Sequence, residues 1–366
     1  MALCILALAE IGLRCAGVEP LAGGAGIPPW MDEETHDLWR RWTERQGVRL
    51  ADVTDLSGWR WDPELRWALE PDLALQARNI FLDPSLGDAA TWRLTTNDRG
   101  FRTPRHDRVE PPDRVRVVVL GDSNSMGWCL NDEATYPRRL ETKLGDRLGR
   151  EVEVINLGVG GYTSFSARIL LEREALPLSP DALVLAVGAN DPQRMTTDDA
   201  RYARRFSGFA GRLRRDLGRL RLVALVRGWL GGAPVDRVPR VSPEAWSDNL
   251  TALLARARER GLPVVFLRVC CCTEEYERRL QEAAARYAMP VLDARAACER
   301  TLADPGMQQR HARRLAEIAH WYGEAERRAD PSLRYLFRDG CHLNPLGAEL
   351  VAGALAERLA GMVGQE

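Results

Sequence analysis

The chain has 366 residues, of which 45% are hydrophobic and 28% charged, with 51 basic against 52 acidic side chains. The apolar fraction is ample for a buried core and excludes a disordered or fibrous chain, and the length predicts about two domains, or one large domain with additions. The formal net charge of −1 argues against a nucleic-acid partner, because neutralising phosphates needs an excess of basic side chains.

The N-terminus allows two interpretations. Residues 1–9 are apolar, but Glu10 and Arg14 follow well before the roughly 18 residues that a bilayer-spanning helix needs. The segment also lacks the basic start and the cleavage site of a signal peptide. It is either a short docked helix or the end of a membrane anchor whose upstream part is missing from this reading frame.

Residues 1–111 are predicted to form an accessory region. Proline and glycine interrupt it often, and one helix is predicted over 32–45, with Leu38 and Trp42 on one face. Tryptophan is concentrated in the first hundred residues, at Trp30, Trp39, Trp42, Trp59, Trp61, Trp67 and Trp92. Aromatic side chains of this kind either bind sugars or pack against the main domain, and we favour packing because large aromatics dominate ordinary cores and interfaces.

Strands and helices alternate over residues 112–366, which is typical of a parallel α/β sheet. Strands rich in β-branched or other apolar residues are predicted at 115–120, 152–156, 182–187, 263–269 and 291–293. Helices are predicted at 134–148, 164–175, 244–260, 274–287 and 346–359. Five strands with crossover helices on both sides predict a three-layer α/β/α sandwich.

An insertion at about 201–240 interrupts this alternation. Within 201–232, apolar side chains recur every three or four residues and arginines occupy the opposite face. A lid and a membrane-surface helix are two interpretations of this segment. A solvated surface helix is the one we favour. The apolar positions are Phe206, Phe209, Leu213, Leu217 and Leu220.

Polar and glycine-rich segments directly follow the first three predicted strands. They are 121–124 (GDSN), 156–163 (NLGVGGYT) and 188–191 (GAND), and a fourth segment, 339–345 (DGCHLNP), precedes the last helix. Ligands of open parallel sheets bind beyond the carboxyl ends of the strands. We therefore expect a hydroxyl, glycine amides, a carboxamide and an Asp/His pair at one edge of the sheet, which are the groups of a hydrolase.

Three of these side chains suit acyl transfer through a covalent intermediate. The Ser123 hydroxyl is a weak nucleophile until a base removes its proton, and His342 can serve as that base because its pKa lies near neutral pH. Asp339, three residues before His342, can hold the imidazole in the required tautomer. A tetrahedral intermediate also needs preplaced donors for its oxyanion. The candidates are the backbone amides of Ser123 and Gly161 and the side chain of Asn190.

The four segments together resemble those of the SGNH hydrolases, the GDSL-type esterase superfamily, over about residues 112–362. The resemblance implies a flavodoxin-like sheet, a triad of Ser123, His342 and Asp339, an oxyanion hole of Ser123, Gly161 and Asn190, and no metal or cofactor. Two features depart from the family pattern. The first segment continues GDSNSMG rather than GDSL, and which of the glycines at 158, 160 and 161 donates depends on the alignment.

The stretch 97–102 (NDRGFR) is similar to a segment that often precedes the hydrolase domain in bacterial members of this superfamily. Those members commonly carry an N-terminal membrane anchor. The resemblance therefore favours the truncated-anchor interpretation and a location in the bacterial cell envelope, with membrane proximity through the N-terminus. The cytoplasm is the alternative.

The eight cysteines match no regular disulfide framework and no zinc-site spacing, so they do not decide the redox compartment. Cys270, Cys271 and Cys272 end the fourth predicted strand, where we expect them to pack or to line the pocket. Cys341 adjoins His342, but adjacent side chains diverge, so no Cys-His dyad is expected. The remaining histidines, His36, His106, His311 and His320, show no metal-ligand spacing.

Three functions stay open from sequence. The favoured one is a serine esterase that cleaves carboxylic esters of a small molecule or a glycan, glycan deacetylation included. The same triad in an O-acyltransferase would pass the acyl group to a sugar hydroxyl. A carbohydrate-binding module on an inactive scaffold is disfavoured by the complete triad.

Overall fold

The structure is a computed structural model and describes residues 2–16, 33–45, 47, 58–104, 114–218, 220–223, 236–270 and 273–363. The chain forms two compact units. Unit 1 comprises Met1–Ala68 and Gln193–Arg240, and unit 2 comprises Leu69–Pro192 and Val241–Glu366. The domain boundaries that the sequence suggests, 1–111 and 112–366, stay a prediction.

The described strands and helices are numbered in chain order. The strands are β1 (Trp59–Asp62), β2 (Arg66–Leu69), β3 (Ala74–Arg78), β4 (Thr91–Thr95), β5 (Val115–Gly121), β6 (Val152–Asn156), β7 (Ala182–Ala186), β8 (Arg194–Met195), β9 (Val238–Pro239), β10 (Val264–Arg268) and β11 (Val291–Asp293). The helices are α1 (Ala2–Cys15), α2 (Glu33–Arg45), α3 (Ser123–Met126), α4 (Tyr136–Leu148), α5 (Ser164–Leu170), α6 (Asp199–Phe206), α7 (Gly208–Gly218), α8 (Pro243–Glu259), α9 (Glu274–Tyr287), α10 (Ala294–Ala303), α11 (Pro305–Arg310), α12 (Ala312–Trp321), α13 (Glu324–Ala329) and α14 (Pro345–Val363).

Unit 2 contains a five-stranded parallel sheet in the order β11-β10-β7-β5-β6. In β5, Val118 lies opposite Ile155 of β6 on one side and Leu183 of β7 on the other. All residues of β5 and β7 are buried, as expected for central strands covered on both faces. Counted along the chain, the strand order is 2-1-3-4-5, and it reverses between β5 and β7, where open α/β sheets bind ligands.

Two groups of helices flank this sheet. In one group α14 packs on α4 and α10, and in the other α8 packs on α5 and α9. The predicted α/β class, with a flavodoxin-like three-layer sandwich and a five-stranded parallel sheet, is confirmed. The sequence analysis did not predict helices α10 to α13, nor the antiparallel pair of β3 and β4, which belongs to unit 2.

Unit 1 contains a buried cluster of charged side chains. The carboxylate of Asp199 accepts hydrogen bonds from Arg66 Nε at 2.7 Å and from Arg240 Nη2 at 3.0 Å. Burial alone would raise the pKa of Asp199, but the two guanidinium groups hold that pKa below its usual value. Trp39, Trp59 and Trp67 are also buried in this unit, so these tryptophans pack in the interior instead of forming an exposed sugar platform.

The predicted apolar stripe of the insertion lies partly on α7, where it faces solvent. Phe209 is 83% exposed, and Leu213 and Leu217 are about half exposed. Residues 219 and 224–232 of the segment lie outside the described residues. The N-terminal α1 is tied within unit 1 by Glu10, whose carboxylate accepts the backbone N–H of Leu222 at 3.1 Å. Within the residues the structure describes, no helix combines the length and apolar character needed to cross a membrane.

Candidate active site

Ser123 lies at the carboxyl end of the central strand β5, at the start of α3. Asp122 caps this short helix, because its side chain accepts the backbone N–H of Asn124 at 2.9 Å. The strand ends at Gly121, where a Cβ atom would lie 1.9 Å from the Ser125 hydroxyl oxygen. A side chain at this position would therefore displace the turn, and the strand-to-helix corner that presents Ser123 requires glycine.

The loop before α14 brings His342 and Asp339 to Ser123. The Ser123 Oγ and the His342 Nε2 are 2.7 Å apart, although 219 residues separate them in sequence. The other ring nitrogen, Nδ1, is hydrogen-bonded to Asp339 Oδ2. Asp339 Oδ1 accepts the backbone N–H groups of Cys341 at 3.1 Å and His342 at 3.0 Å. The carboxylate is thus held by its own loop and fixes the direction of the imidazole.

The electrostatics of this trio favour a charged carboxylate and a basic imidazole. Burial acts to lower the pKa of His342, but the Asp339 carboxylate and its hydrogen bond outweigh burial and raise that pKa above its usual 6.5. Burial likewise acts to raise the pKa of Asp339, and the interaction with His342 holds it below its usual value. Burial raises the pKa of nearby Asp122 to about 6.

Asn190 follows β7 and Gly161 follows β6, and a hydrogen bond joins Asn190 to Tyr162, the residue after Gly161. The Asn190 Nδ2 donates to the Tyr162 carbonyl at 3.0 Å and lies 3.5 Å from Asp122 Oδ2. Gly161 precedes Tyr162 and adopts a φ of +79°, a conformation that L side chains rarely take. Asn190 therefore lies beside Asp122, the residue before Ser123. The prediction that Gly161, of the three glycines, donates to an oxyanion stays a prediction.

A disulfide that the sequence analysis did not predict involves the residue before His342. Cys270, after the end of β10, is bonded to Cys341, with the two Cα atoms 5.1 Å apart. Cys270 lines the cleft at this edge, as one of the two expectations for it stated, but the sequence analysis did not predict its bond to Cys341. Cys271 and Cys272 lie outside the described residues. The position of both partners at the same sheet edge was the available signal, but their separation of 71 residues left no spacing pattern to recognise.

Asn124, next to Ser123, links the Ser123 turn to the loop of His342. Its side-chain oxygen accepts the backbone N–H of Leu343 at 3.1 Å, and its side chain is buried. This bond joins the residue after Ser123 to the residue after His342. The sequence analysis treated Asn124 only as a departure from the family pattern.

Arg102 anchors the other end of the same turn. Its side chain is 3% exposed, and every one of its N–H groups donates a hydrogen bond. The acceptors are Asp132 Oδ1 (2.8 Å) and the carbonyls of Met126 (2.8 Å), Gly127 (2.7 Å), Leu130 (2.6 Å) and Arg93 (2.6 Å). The final arginine of the 97–102 segment thus satisfies carbonyls at the end of α3, the helix that begins with Ser123.

A small cleft lies beside the Ser123 turn. Asp122 and Asn124, the two neighbours of Ser123, line it together with apolar residues that follow β7 and β10, among them Val187, Ala189 and Val269. Among the residues that the structure describes, no group of three or more His, Cys, Asp or Glu side chains is arranged to hold a metal ion.

Residues 119–350 match the GDSL-like lipase/acylhydrolase family. A curated relative, an uncharacterized lipoprotein named YqeF of Bacillus subtilis (strain 168), is 30% identical over 94 residues, which are 24% of this chain and 37% of the relative. The match thus spans well under half the length of that protein.

Two solved structures illustrate the similarity in three dimensions. A lipase/acylhydrolase from Enterococcus faecalis is 17% identical with a TM-score of 0.41, covering 68% of this chain and 96% of the other. The psychrotrophic esterase EstA from Pseudoalteromonas sp. is 14% identical with a TM-score of 0.40, covering 68% and 99%.

Proposed function

The chain belongs to the GDSL-like lipase/acylhydrolase family and is a hydrolase of ester bonds, and we propose that it is a serine esterase with Ser123, His342 and Asp339 as its catalytic triad. The observation that carries the proposal is the continuous hydrogen-bonded path from the Ser123 Oγ through both ring nitrogens of His342 to Asp339. Nucleophile, base and orienting carboxylate need this arrangement for acyl transfer.

In this mechanism Ser123 Oγ attacks the ester carbonyl while His342 Nε2 takes the hydroxyl proton. The tetrahedral intermediate collapses, the bond to the alcohol breaks, and His342 returns its proton to the leaving oxygen. Water then attacks the acyl-enzyme with His342 again as base, and the carboxylic acid leaves as Ser123 is regenerated. Asp339 stays ionised and stabilises the imidazolium that forms in each step.

The backbone amides of Ser123 and Gly161 and the Asn190 side chain are proposed to bind the oxyanion. Donors fixed before the charge develops stabilise it without reorganisation. The bond from Asn190 to the Tyr162 carbonyl supports this role, because it fixes the carboxamide at the edge of the sheet where Ser123 begins α3; the second N–H, whose nitrogen lies 3.5 Å from Asp122 Oδ2, is the one proposed to turn to the oxyanion.

Covalent labelling with a fluorophosphonate tests the nucleophile. We expect the full chain to be labelled at Ser123 and Ser123→Ala to lose both the label and the turnover of a short-chain aryl ester. Ser125→Ala is the matched control, because the Ser125 hydroxyl is buried against the Tyr136 hydroxyl at 2.6 Å, and it should keep the label. Turnover by Ser123→Ala at the wild-type rate would remove Ser123 from the role.

A turnover assay identifies the substrate and the type of reaction. A panel of acyl-chain lengths that includes an acetylated glycan, run with and without an acceptor sugar, separates hydrolysis from acyl transfer by product mass. Free acid as the product under every acceptor supports the esterase, and an acylated sugar supports the acyltransferase that the sequence left open.

We also propose that the protein works in an oxidising compartment, in the bacterial cell envelope. The Cys270–Cys341 disulfide supports this, because disulfides persist outside the reducing cytosol, and a curated relative carries the name of a lipoprotein. Alkylating free thiols in intact cells before lysis provides the test. We expect Cys270 and Cys341 to resist alkylation until a reductant is added, and alkylation of both without reductant would contradict the location.

A further inference from the structure

We propose that Phe81 is a positioning residue for the catalytic base, stacked on the face of the His342 imidazole. The inference rests on the proposed role of His342. Phe81 lies outside residues 119–350, the part of the chain that matches the family. The upstream segment of unit 2, the part that precedes residue 119, would therefore complete the active site of this protein.

The two rings are stacked. The ring centroids of Phe81 and His342 are 5.5 Å apart and the planes are inclined by 28°. Phe81 also stacks on Phe337, with centroids 5.1 Å apart, and only 5% of its surface is exposed. The indole of Trp128 also lies near, with its centroid 6.5 Å from the imidazole centroid. The base is thus set among aromatic rings.

Asn79 holds Phe81 in place. Its side-chain oxygen accepts the backbone N–H of Phe81 at 3.0 Å, and its side-chain nitrogen donates to the Cys129 carbonyl at 3.1 Å. The backbone N–H of Asn79 donates to the Ala90 carbonyl at 2.6 Å. The turn that carries the aromatic ring is thereby tied to the loop that follows α3, which is the helix of Ser123.

The stacking restrains a motion that the hydrogen bonds of His342 leave free. Both ring nitrogens bond within the imidazole plane, to Ser123 and Asp339, so the ring can still tilt about the line joining its partners. A ring packed on its face opposes that tilt and excludes water. The negative face of an aromatic ring also attracts a cation, so Phe81 favours the imidazolium that forms as Ser123 loses its proton.

The charged groups that face this imidazole are carboxylates. Asp339 comes from its own loop, and Asp122 comes from the end of β5. Both favour the imidazolium, so removing the Phe81 ring changes the titration of His342 against an otherwise unchanged electrostatic background. The pKa of His342 is therefore a quantity that a purely structural role of Phe81 would leave unchanged.

The experiment compares Phe81→Leu and Phe81→Met with Phe101→Leu in the full chain. Phe101 is buried to the same extent, 5% exposed, in the same upstream segment. Two quantities are measured: the rate of fluorophosphonate labelling at Ser123 against pH, and the NMR titration of His342, assigned with His342→Gln. Thermal unfolding checks that each variant is folded.

We expect both Phe81 variants to be labelled about tenfold more slowly, as the loss of a desolvated cation–ring contact implies, and the pKa of His342 to fall. Phe101→Leu should leave the labelling profile and the titration unchanged. An unchanged titration in a folded Phe81 variant, or an equal change in Phe101→Leu, would overturn the proposal.

A measurement on the unmodified protein decides the matter if neither Phe81 variant folds. Nuclear Overhauser contacts between the Phe81 ring protons and the His342 carbon-bound protons are expected, and their absence would refute the stacking. If the unmodified protein takes no label at Ser123, the esterase mechanism fails, whereas the titration and the Overhauser contacts still decide the role of Phe81.

Discussion

Replacing Arg102 with alanine should destabilise unit 2 by about 3 kcal/mol and abolish labelling of Ser123. The guanidinium is buried and donates to four backbone carbonyls and to Asp132. An unpaired buried acceptor costs about 1–3 kcal/mol, and breaking a buried ion pair costs about 3–5 kcal/mol. We take the lower end because Asp132 is 24% exposed and because water can enter the space that the side chain vacates.

Arg99→Ala is the matched control from the same segment. Arg99 pairs with Glu174, but its side chain is 27% exposed, and Glu174 keeps Arg173 at 3.4 Å. The loss of such a pair costs about 0–1 kcal/mol. Chemical denaturation measures both variants, and the Arg102 variant should also melt roughly 6–12 °C lower than the parent protein.

Two results with the arginine variants would contradict this prediction. If Arg102→Ala unfolds within about 1 kcal/mol of Arg99→Ala, the hydrogen bonds of Arg102 do not hold the turn. If Arg102→Ala is strongly destabilised but is labelled at the parental rate where it is folded, Arg102 stabilises unit 2 without shaping the Ser123 turn.

Three further outcomes follow from the geometry. The rate of ester hydrolysis should be high above the pKa of His342 and fall as the pH drops through that pKa. Because Asp339 holds the pKa above 6.5, a pH profile should reach its half-maximal rate above pH 6.5. A midpoint below pH 6 that persists in Asp122→Asn would contradict this. Asp339→Asn should lower kcat by roughly 10⁴-fold with little change in KM, because the imidazole loses its required tautomer; steady-state kinetics measure this, and a loss under tenfold would count against the triad. Replacing both Cys270 and Cys341 with serine should lower the free energy of unfolding by about 4 kcal/mol, as expected for a crosslink closing 71 residues. Chemical denaturation should give the same midpoint for this variant and for the parent protein treated with dithiothreitol. If both unfold at the midpoint of the untreated parent, the bond does not constrain the fold.

The strands of the sheet could be predicted from local sequence. Apart from Arg116, the run 115–120 is apolar on both faces, and such a run is typical of a covered central strand. The turns after β5 and β6 follow from glycines that no larger residue can replace, such as Gly121. Asp339 and His342 are three residues apart, so their contact is also local.

The sequence did not predict the short antiparallel pair β3–β4 or the helices between β11 and α14. Each of these elements is short, and its apolar positions are too few to establish a period of two or of 3.6 residues. The arginines of this region interrupt the pattern further. Such elements form because tertiary packing covers them, and local propensity contributes little.

The sequence by itself determined the layered α/β architecture and the residue types gathered at one edge of the sheet, because burial periodicity and turn chemistry act over a few residues. Only the tertiary structure decided which distant groups meet: the Cys270–Cys341 bond, the Phe81 ring on the imidazole, and the carbonyls that Arg102 caps. Periodicity states that a side chain is buried but not against which partner. That choice depends on how the chain closes its loops around the sheet, and the pKa of His342 depends on it in turn.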